Sequence, residues 1–527
     1  MPAIISDQFR VMNAETFIKS LVGVGTTANR YYTFIGQPNA LNSQANGTSS
    51  WDTGPSPLDG FKEENEIKET IISMKKVTQS DIRRMVRKKV WESGSTYEMY
   101  RHDYSIYNLS PVTSSPSLYD ANYYVINEDL KVYICLQNGT DPENPKGRPS
   151  LDKPEFVDLE PRPAGTSGDG YLWKYLYTIK PSEIVKFDSI EFIPVPENWG
   201  TVGDTISTKN NAIDGKIEII TTRSRGSEYE PKSKTYSNIP ILGDGTGGKV
   251  SIVIDAFGKV SDAYVTDGGS GYTKGIIQLQ PGAPGIPANL TNTGTLASFD
   301  VIIPPKGGHG YDIYRELGAY RVLVYSRYNT DETNPDTITG NDFARVGIIK
   351  NPTKITSTTE LLDLSEVSAL NALKLTGAAT TLTTYAVDSK ITQTVSTGTT
   401  AIGFVASWDN ITGVLKYYQP VGLATVGVGY KINQFTATPG TGGSLIINGA
   451  AGETPELSID TSFGSISNPG ISTVINNRTY QLGSAFIAGI ASAEYNKKSG
   501  EIIYIDNRNP IPRSSSQKED IKIVLEF

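Results

Sequence analysis

The chain has 527 residues, 38% of them hydrophobic and 20% charged, so it can bury two to four cores and is not disordered by composition. Its net charge of −8 argues against general nucleic-acid binding. The single cysteine, Cys135, excludes an intrachain disulfide and fits a reducing compartment of synthesis. The 51 glycines, the 30 prolines and the excess of Tyr (29) over Phe (15) favour short strands joined by tight turns. The expected fold class is mainly β (α+β): several domains of antiparallel sandwiches or barrels with a few short helices. The opening MPAIISDQFR has no basic start and no apolar run, so no secretory leader is expected. No run of about 18 apolar residues predicts a membrane span.

Residues 1–204 read as an N-terminal mixed, β-rich body. In FKEENEIKETIISMKK, Ile67, Ile71 and Met74 recur at helical spacing, which predicts a helix capped by Ser56 or Asp59 with Pro57 in its first turn. The basic run RRMVRKK at 83–89 reads as a solvated face or as cations for a partner subunit. YYVINEDLKVYICL, 123–136, predicts two strands around Asn127, Glu128 and Asp129. GDGYLWKYLY, 168–177, is the clearest strand. Tyr171, Trp173, Tyr175 and Tyr177 alternate onto one face, with Leu172, Lys174 and Leu176 on the other. Each aromatic can bury about 150–250 Å², so the stripe reads as core or subunit interface before it reads as a sugar platform.

Residues 205–305 form a Gly-rich β insertion, with strands on either side of the turn at Phe257 and Gly258. Its GDGTGGKV, 243–250, has Gly243, Gly248 and Lys249 in phosphate-loop positions. Val250 stands where Ser or Thr should hold magnesium, and the following VSIVID alternates as a strand, so nucleotide binding is not expected. Residues 306–354 return to the core body, where His309 in PPKGGHGYD reads as a structural histidine bonded to backbone. Residues 355–490 are poor in charge and predict an inserted β-barrel or sandwich. It opens with a short helix near 360–373 and continues in strands such as AIGFVASWD and GVLKYYQPV. Within it GVGYKI (427–432) and GTGGSLIING (440–449) echo GSGYTK (269–274) and GTGGKVSIVI, as related hairpin modules. Residues 491–527 supply C-terminal strands that complete the core body, with Ile521, Ile523, Leu525 and Phe527 alternating.

With two histidines (His102, His309), one cysteine and no G-x-S-x-G turn, neither a nucleophilic triad nor a zinc site is expected. No catalytic, cofactor-binding or metal residue is assigned, and no cofactor or small-molecule substrate is expected. Paired carboxylates for sugar hydrolysis stay open, because sequence gives no distances.

Several segments, in order along the chain, resemble the baseplate wedge subunits of T-even-type contractile-tailed phages, the eighth gene product family. They are AIISDQFR (3–10) with Phe17, YYTFIGQP (31–38), KKVWESGSTYEMY (88–100), GDGYLWKYLY, FARVGIIKNP (343–352) and SGEIIYIDNRNPI (499–511). The resemblance covers residues 1–200, about 310–352 and about 495–527. It implies a mainly β structural subunit without catalytic activity, a homodimer whose partners are other wedge proteins, located in the virion and assembled in the host cytoplasm. It also makes Tyr171, Trp173, Tyr175, Tyr177, Trp91 and Arg508 the structural or interface candidates. The insertions at 205–305 and 355–490 depart from the compact family members. Two other classes remain: a host-glycan-binding tail adhesin, with Trp408 among its exposed aromatics, and a polysaccharide-degrading enzyme.

Overall fold

A computed structural model describes residues 6–22, 29–37, 60–105, 107, 115–201, 203–329, 343–377, 384–410, 413–419, 433–449, 457–464, 472–475, 478–481, 486–511 and 518–527. The chain is mostly β, in multiple antiparallel sheets with a few helices. It divides into two compact units: residues 1–16, 83–323 and 524–527, and residues 17–82 and 324–523. The segments expected to share one body, 1–204, 306–354 and 491–527, are therefore distributed over both units. Among the described residues no helix is long and apolar enough to cross a membrane.

Among the described residues the first unit shows two cores. One surrounds a three-stranded antiparallel sheet of Tyr124–Ile126, Lys131–Asn138 and Tyr171–Thr178. The first two strands flank the Asn127 turn as expected; Asn127 Oδ1 accepts from Lys131 N at 3.0 Å, an Asx-type closure. The helix Asp204–Asn211 packs on the third strand, with Thr208 Oγ1 donating to Leu176 O at 3.0 Å. The other core fills a Gly-rich lobe from Ile217 to Ile303. The lobe is built on the three-stranded sheet Lys234–Pro240, Lys249–Ile254 and Val260–Asp267, with the last two strands forming the predicted hairpin. Asp255 Oδ1 accepts from Phe257 N and Lys259 N, and Gly258 takes φ 72°, a left-handed turn that favours glycine.

In the second unit a five-stranded antiparallel sheet runs in the order Glu366–Ser368, Ile71–Lys76, Tyr31–Gly36, Phe343–Lys350, Glu501–Ile511. Tyr32, Phe34, Ile71, Met74, Ile349 and Tyr495 fill its core. The predicted helix holds only over Phe61–Thr70. Ile71 and Met74 lie on the strand that follows, because the β-branched pair Ile71 and Ile72 meets a strand partner at 31–36. Its proposed caps at 56–59 lie outside the described residues. The helix expected near 360–373 is replaced by strands Glu366–Ser368 and Asn371–Thr376, the first pairing with Ile71–Lys76. An eight-stranded sheet spans Asn371 to Ala491. Both strand-like runs there form, as Thr399–Asp409 and Val414–Tyr418. GTGGSLIING carries the short strand Ile446–Ile447, paired with Leu457–Ile459, while 427–432 lies outside the described residues. The expected C-terminal strand is Lys518–Glu526.

Candidate functional site

The aromatic stripe is core within one chain. Tyr171, Trp173, Tyr175 and Tyr177 are all buried. Tyr171 stacks on Trp173 at 5.4 Å between ring centroids, and Tyr97 meets Trp173 edge-on at 5.7 Å. Most of the phenols close on distant oxygen atoms. Tyr171 OH donates to Arg148 O (2.7 Å) and accepts from Tyr97 N (2.9 Å); Tyr133 OH donates to Phe156 O (2.6 Å), and Tyr123 OH to Glu316 O (2.6 Å). Burial pushes the Tyr123, Tyr171, Tyr175 and Tyr177 phenols well up from their ordinary range. Trp91 is half-buried against the same core, its Nε1 donating to Ser150 Oγ at 3.1 Å. Arg508 belongs to the second unit, is 58% exposed and pairs with Asp506 at 2.7 Å. The six candidates thus do not form one site.

Charged residues that sequence reasoning passed over join the lobe to the aromatic core. Lys174, on the back of the aromatic strand, lies 2.7 Å from Glu218 Oε1, with side chains 2% and 7% exposed. Arg101, also buried, binds Asp103 at 2.7 Å and Asp300 at 3.2 Å. Burial raises the Asp103 carboxyl, but the hydrogen bond and charge of Arg101, with smaller help from His102 and the backbone, together hold it below its ordinary value. His102 Nδ1 accepts from Ile303 N at 3.2 Å, and burial lowers its pKa, which keeps it a neutral acceptor. At the rim Lys216 pairs with Glu160 and Arg225 with Glu143, at 2.9 and 2.7 Å. Exposed pairs like these contribute about 0–1 kcal/mol each. Removing one partner of a buried pair such as Lys174 and Glu218 costs far more, about 3–5 kcal/mol.

Between core and lobe lies a cleft of about 310 Å³, lined by Gln137, Glu160, Leu172, Lys216, Glu218 and Tyr264 among others. Its origin is local. The strand Val260–Asp267 is tied to the segment opposite at both ends, by Val260 N to Arg225 O (3.0 Å) and by Ile217 N to Gly268 O (2.9 Å). Between these ties the two stretches do not pair as a sheet. Bulges between Lys249 and Val250 and between Val253 and Ile254 bend the hairpin there. Glu218 Oε2 is enclosed without a hydrogen-bond partner among the described residues.

The remaining sequence motifs resolve as structure. The basic run begins as the strand Ile82–Arg87; three of its cations are matched inside the chain, while Arg87 is exposed. Arg83 pairs with Glu183 (2.9 Å) and Glu197 (3.0 Å), Arg84 lies 3.9 Å over the Tyr314 ring, and Lys88 pairs with Asp188 at 2.9 Å. His309 corrects the expectation of a backbone bond: its Nδ1 lies 2.6 Å from Glu316 Oε1, both buried, and Glu316 Oε2 accepts from Gly310 N at 2.7 Å. GDGTGGKV wraps the Tyr272 ring, whose hydroxyl accepts from Gly248 N and donates to Ile241 O, both at 3.0 Å. A Cβ at Gly248 would come 2.8 Å from that hydroxyl, so the glycines make room for a tyrosine where a phosphate loop would hold phosphate. Strand Lys249–Ile254 follows directly, with no helix. Trp408 is half-buried, edge-on to Tyr385 at 5.1 Å. Cys135 is buried, and burial pushes its thiol well up, the reverse of what a nucleophile needs. Among the described residues no three His, Cys, Asp or Glu side chains converge as a metal site.

A scan against protein-family models and a search of curated proteins find no match to this chain.

Proposed function

We propose that the chain is a structural subunit of a contractile-tail baseplate wedge, acting through rigid β bodies that hold partner subunits in register. The observation that carries the reading is where the family-like segments fall. Tyr31–Gly36, Phe343–Lys350 and Glu501–Ile511 are far apart in sequence, yet they are adjacent strands of one sheet. KKVWESGSTYEMY and GDGYLWKYLY likewise meet, through Tyr97, Tyr171 and Trp173. The segments that resemble the family therefore make up framework; the two departures fill further cores, while lending Glu366–Ser368 to the framework sheet and Ile219 and Ile302 to the aromatic core. A framework shared with wedge subunits and decorated by extra β modules is what a diverged member would have. In this reading the chain dimerises and binds other wedge proteins, in the virion.

Labelling tests it. An antibody against the chain, imaged by negative-stain electron microscopy on the tailed virions that carry it, should decorate the ring at the tail end. Label confined to fibre tips would favour the glycan-binding adhesin, and label absent from virions would overturn both readings.

A further inference from the structure

Lys89 makes a contact of a different kind from that of its neighbour. Lys88 pairs with a carboxylate, Asp188, which has no group to give up to an amine. Lys89 Nζ instead donates to Asn122 Oδ1, and a carboxamide can release ammonia. The main chain is pinned at both ends of this contact. Lys89 O accepts from Ile126 N at 2.7 Å, and Val90 bridges Ile126 in parallel. Asn122 sits between Ala121 and Tyr123, both fully buried, and its own amide donates to Glu98 Oε2 at 2.9 Å. Glu98, half-buried between Tyr97 and Met99 of the aromatic core, also accepts from Ser115 Oγ at 3.4 Å. An amine, a carboxamide and a carboxylate thus come together from separate chain segments. Burial lowers the Lys89 pKa and the Arg87 charge adds to this, while Glu98 and Asp120 pull the other way. The balance enlarges the neutral share of the amine, the form that attacks a carbonyl carbon. An amide is a poor electrophile, but well-oriented intramolecular reactions reach effective molarities of about 10⁵–10⁸ M.

We propose that Lys89 and Asn122 become joined by an isopeptide bond, with Glu98 carrying the proton between the two nitrogens. Neutral Lys89 Nζ adds to Asn122 Cγ. Glu98 takes a proton from that nitrogen and passes it to Nδ2, the Cγ–Nδ2 bond breaks, and ammonia leaves. One amide replaces another, so no oxidant, cofactor or second substrate is consumed. Asn122 is exposed, which lets the ammonia escape and makes the step irreversible. The bond ties the end of strand Ile82–Arg87 to the start of strand Tyr124–Ile126, which lie in different sheets. It is a cross-link within one chain and stands apart from the wedge reading.

The test is the intact mass of the purified, denatured full chain, followed by peptide mapping after trypsin digestion. The chain should weigh one ammonia less than its sequence, counted with or without the initiator Met. A branched peptide should join the segments around Lys89 and Asn122. Lys89→Arg and Asn122→Ala should each restore the full mass and remove the branched peptide. Glu98→Gln keeps an acceptor for Asn122 N but cannot take up the proton, so most of its chains should stay at full mass. A parent chain at full mass overturns the proposal, and that measurement needs no variant to fold. An ammonia loss that Lys89→Arg retains also overturns it, in favour of a succinimide at another asparagine. Complete cross-linking in Glu98→Gln overturns the role given to Glu98.

Discussion

In the aromatic core the largest buried side chains are phenols and indoles, and several phenol hydroxyls end on groups far away in sequence, Tyr171 on Arg148 O 23 residues away and Tyr123 on Glu316 O 193 away. In the Gly-rich lobe the core is mostly Ile and Val; Tyr272 and Tyr229 make phenol ties of the same long-range kind, to Ile241 O and Leu279 O, while the hairpin turn is closed locally by Asp255, which accepts from Phe257 N and Lys259 N. The core thus rests on phenol ties between distant segments, and the lobe combines such ties with a hairpin turn that closes itself. Damage to the first should spread through its unit, and damage to the second should stay where it is made.

The largest effect is expected from Trp173→Ala. It empties the centre of the aromatic core at a cost of about 3–5 kcal/mol, out of about 5–15 kcal/mol for a typical domain. Urea unfolding followed by fluorescence should show a much lower midpoint for the first unit, or the protein should become insoluble; an unmoved midpoint would remove Trp173 from the core account. Next comes Lys174→Met, which strands Glu218 as a buried charge and should cost about 3–5 kcal/mol. Adding Glu218→Leu should recover most of that loss, and a double variant as unstable as the single one would argue against pairing as the reason. Tyr272→Phe should be milder, about 1–3 kcal/mol for leaving Gly248 N and Ile241 O unpartnered. Amide exchange should accelerate at 243–248 and hold steady in the strand Tyr171–Thr178; acceleration in both would erase the contrast between core and lobe. The smallest effect at neutral pH is that of the buried phenols. Their folded pKa values are raised by burial, so the stability they contribute is complete below the unfolded value of about 10 and is lost as pH climbs beyond it. Tyrosinate absorbance should therefore rise together with unfolding; a gradual rise in the folded protein would mean that the phenols are open to solvent.

Much of this contrast was legible in the sequence because its causes are local. The turns at Asn127 and at Gly258 announce themselves by residue type, and the aromatic strand by its alternation. The helix end at Thr70 was not legible, since Ile67, Ile71 and Met74 satisfy helical spacing whether or not a strand partner captures the last two. The helix Asp7–Val22 went unseen for the opposite reason: its apolar residues do not gather on one side. Lys174 was visible as the one charge in an otherwise uncharged strand, but Glu218, 44 residues on, carries no local sign of being its partner. Still longer separations in sequence hid the match of Arg83 with Glu183 and Glu197. The cleft is beyond sequence reading altogether, because it arises where two backbone stretches fail to pair.

The claim that most needs a direct measurement is that this chain builds a baseplate. On the proposed reading its gene belongs to a tailed phage, where it can be interrupted and the resulting lysate imaged by electron microscopy. The account predicts tail tubes and sheaths lacking a complete baseplate, with normal particles restored when the intact chain is supplied in trans. Particles with complete baseplates that fail only to adsorb to host cells would contradict it.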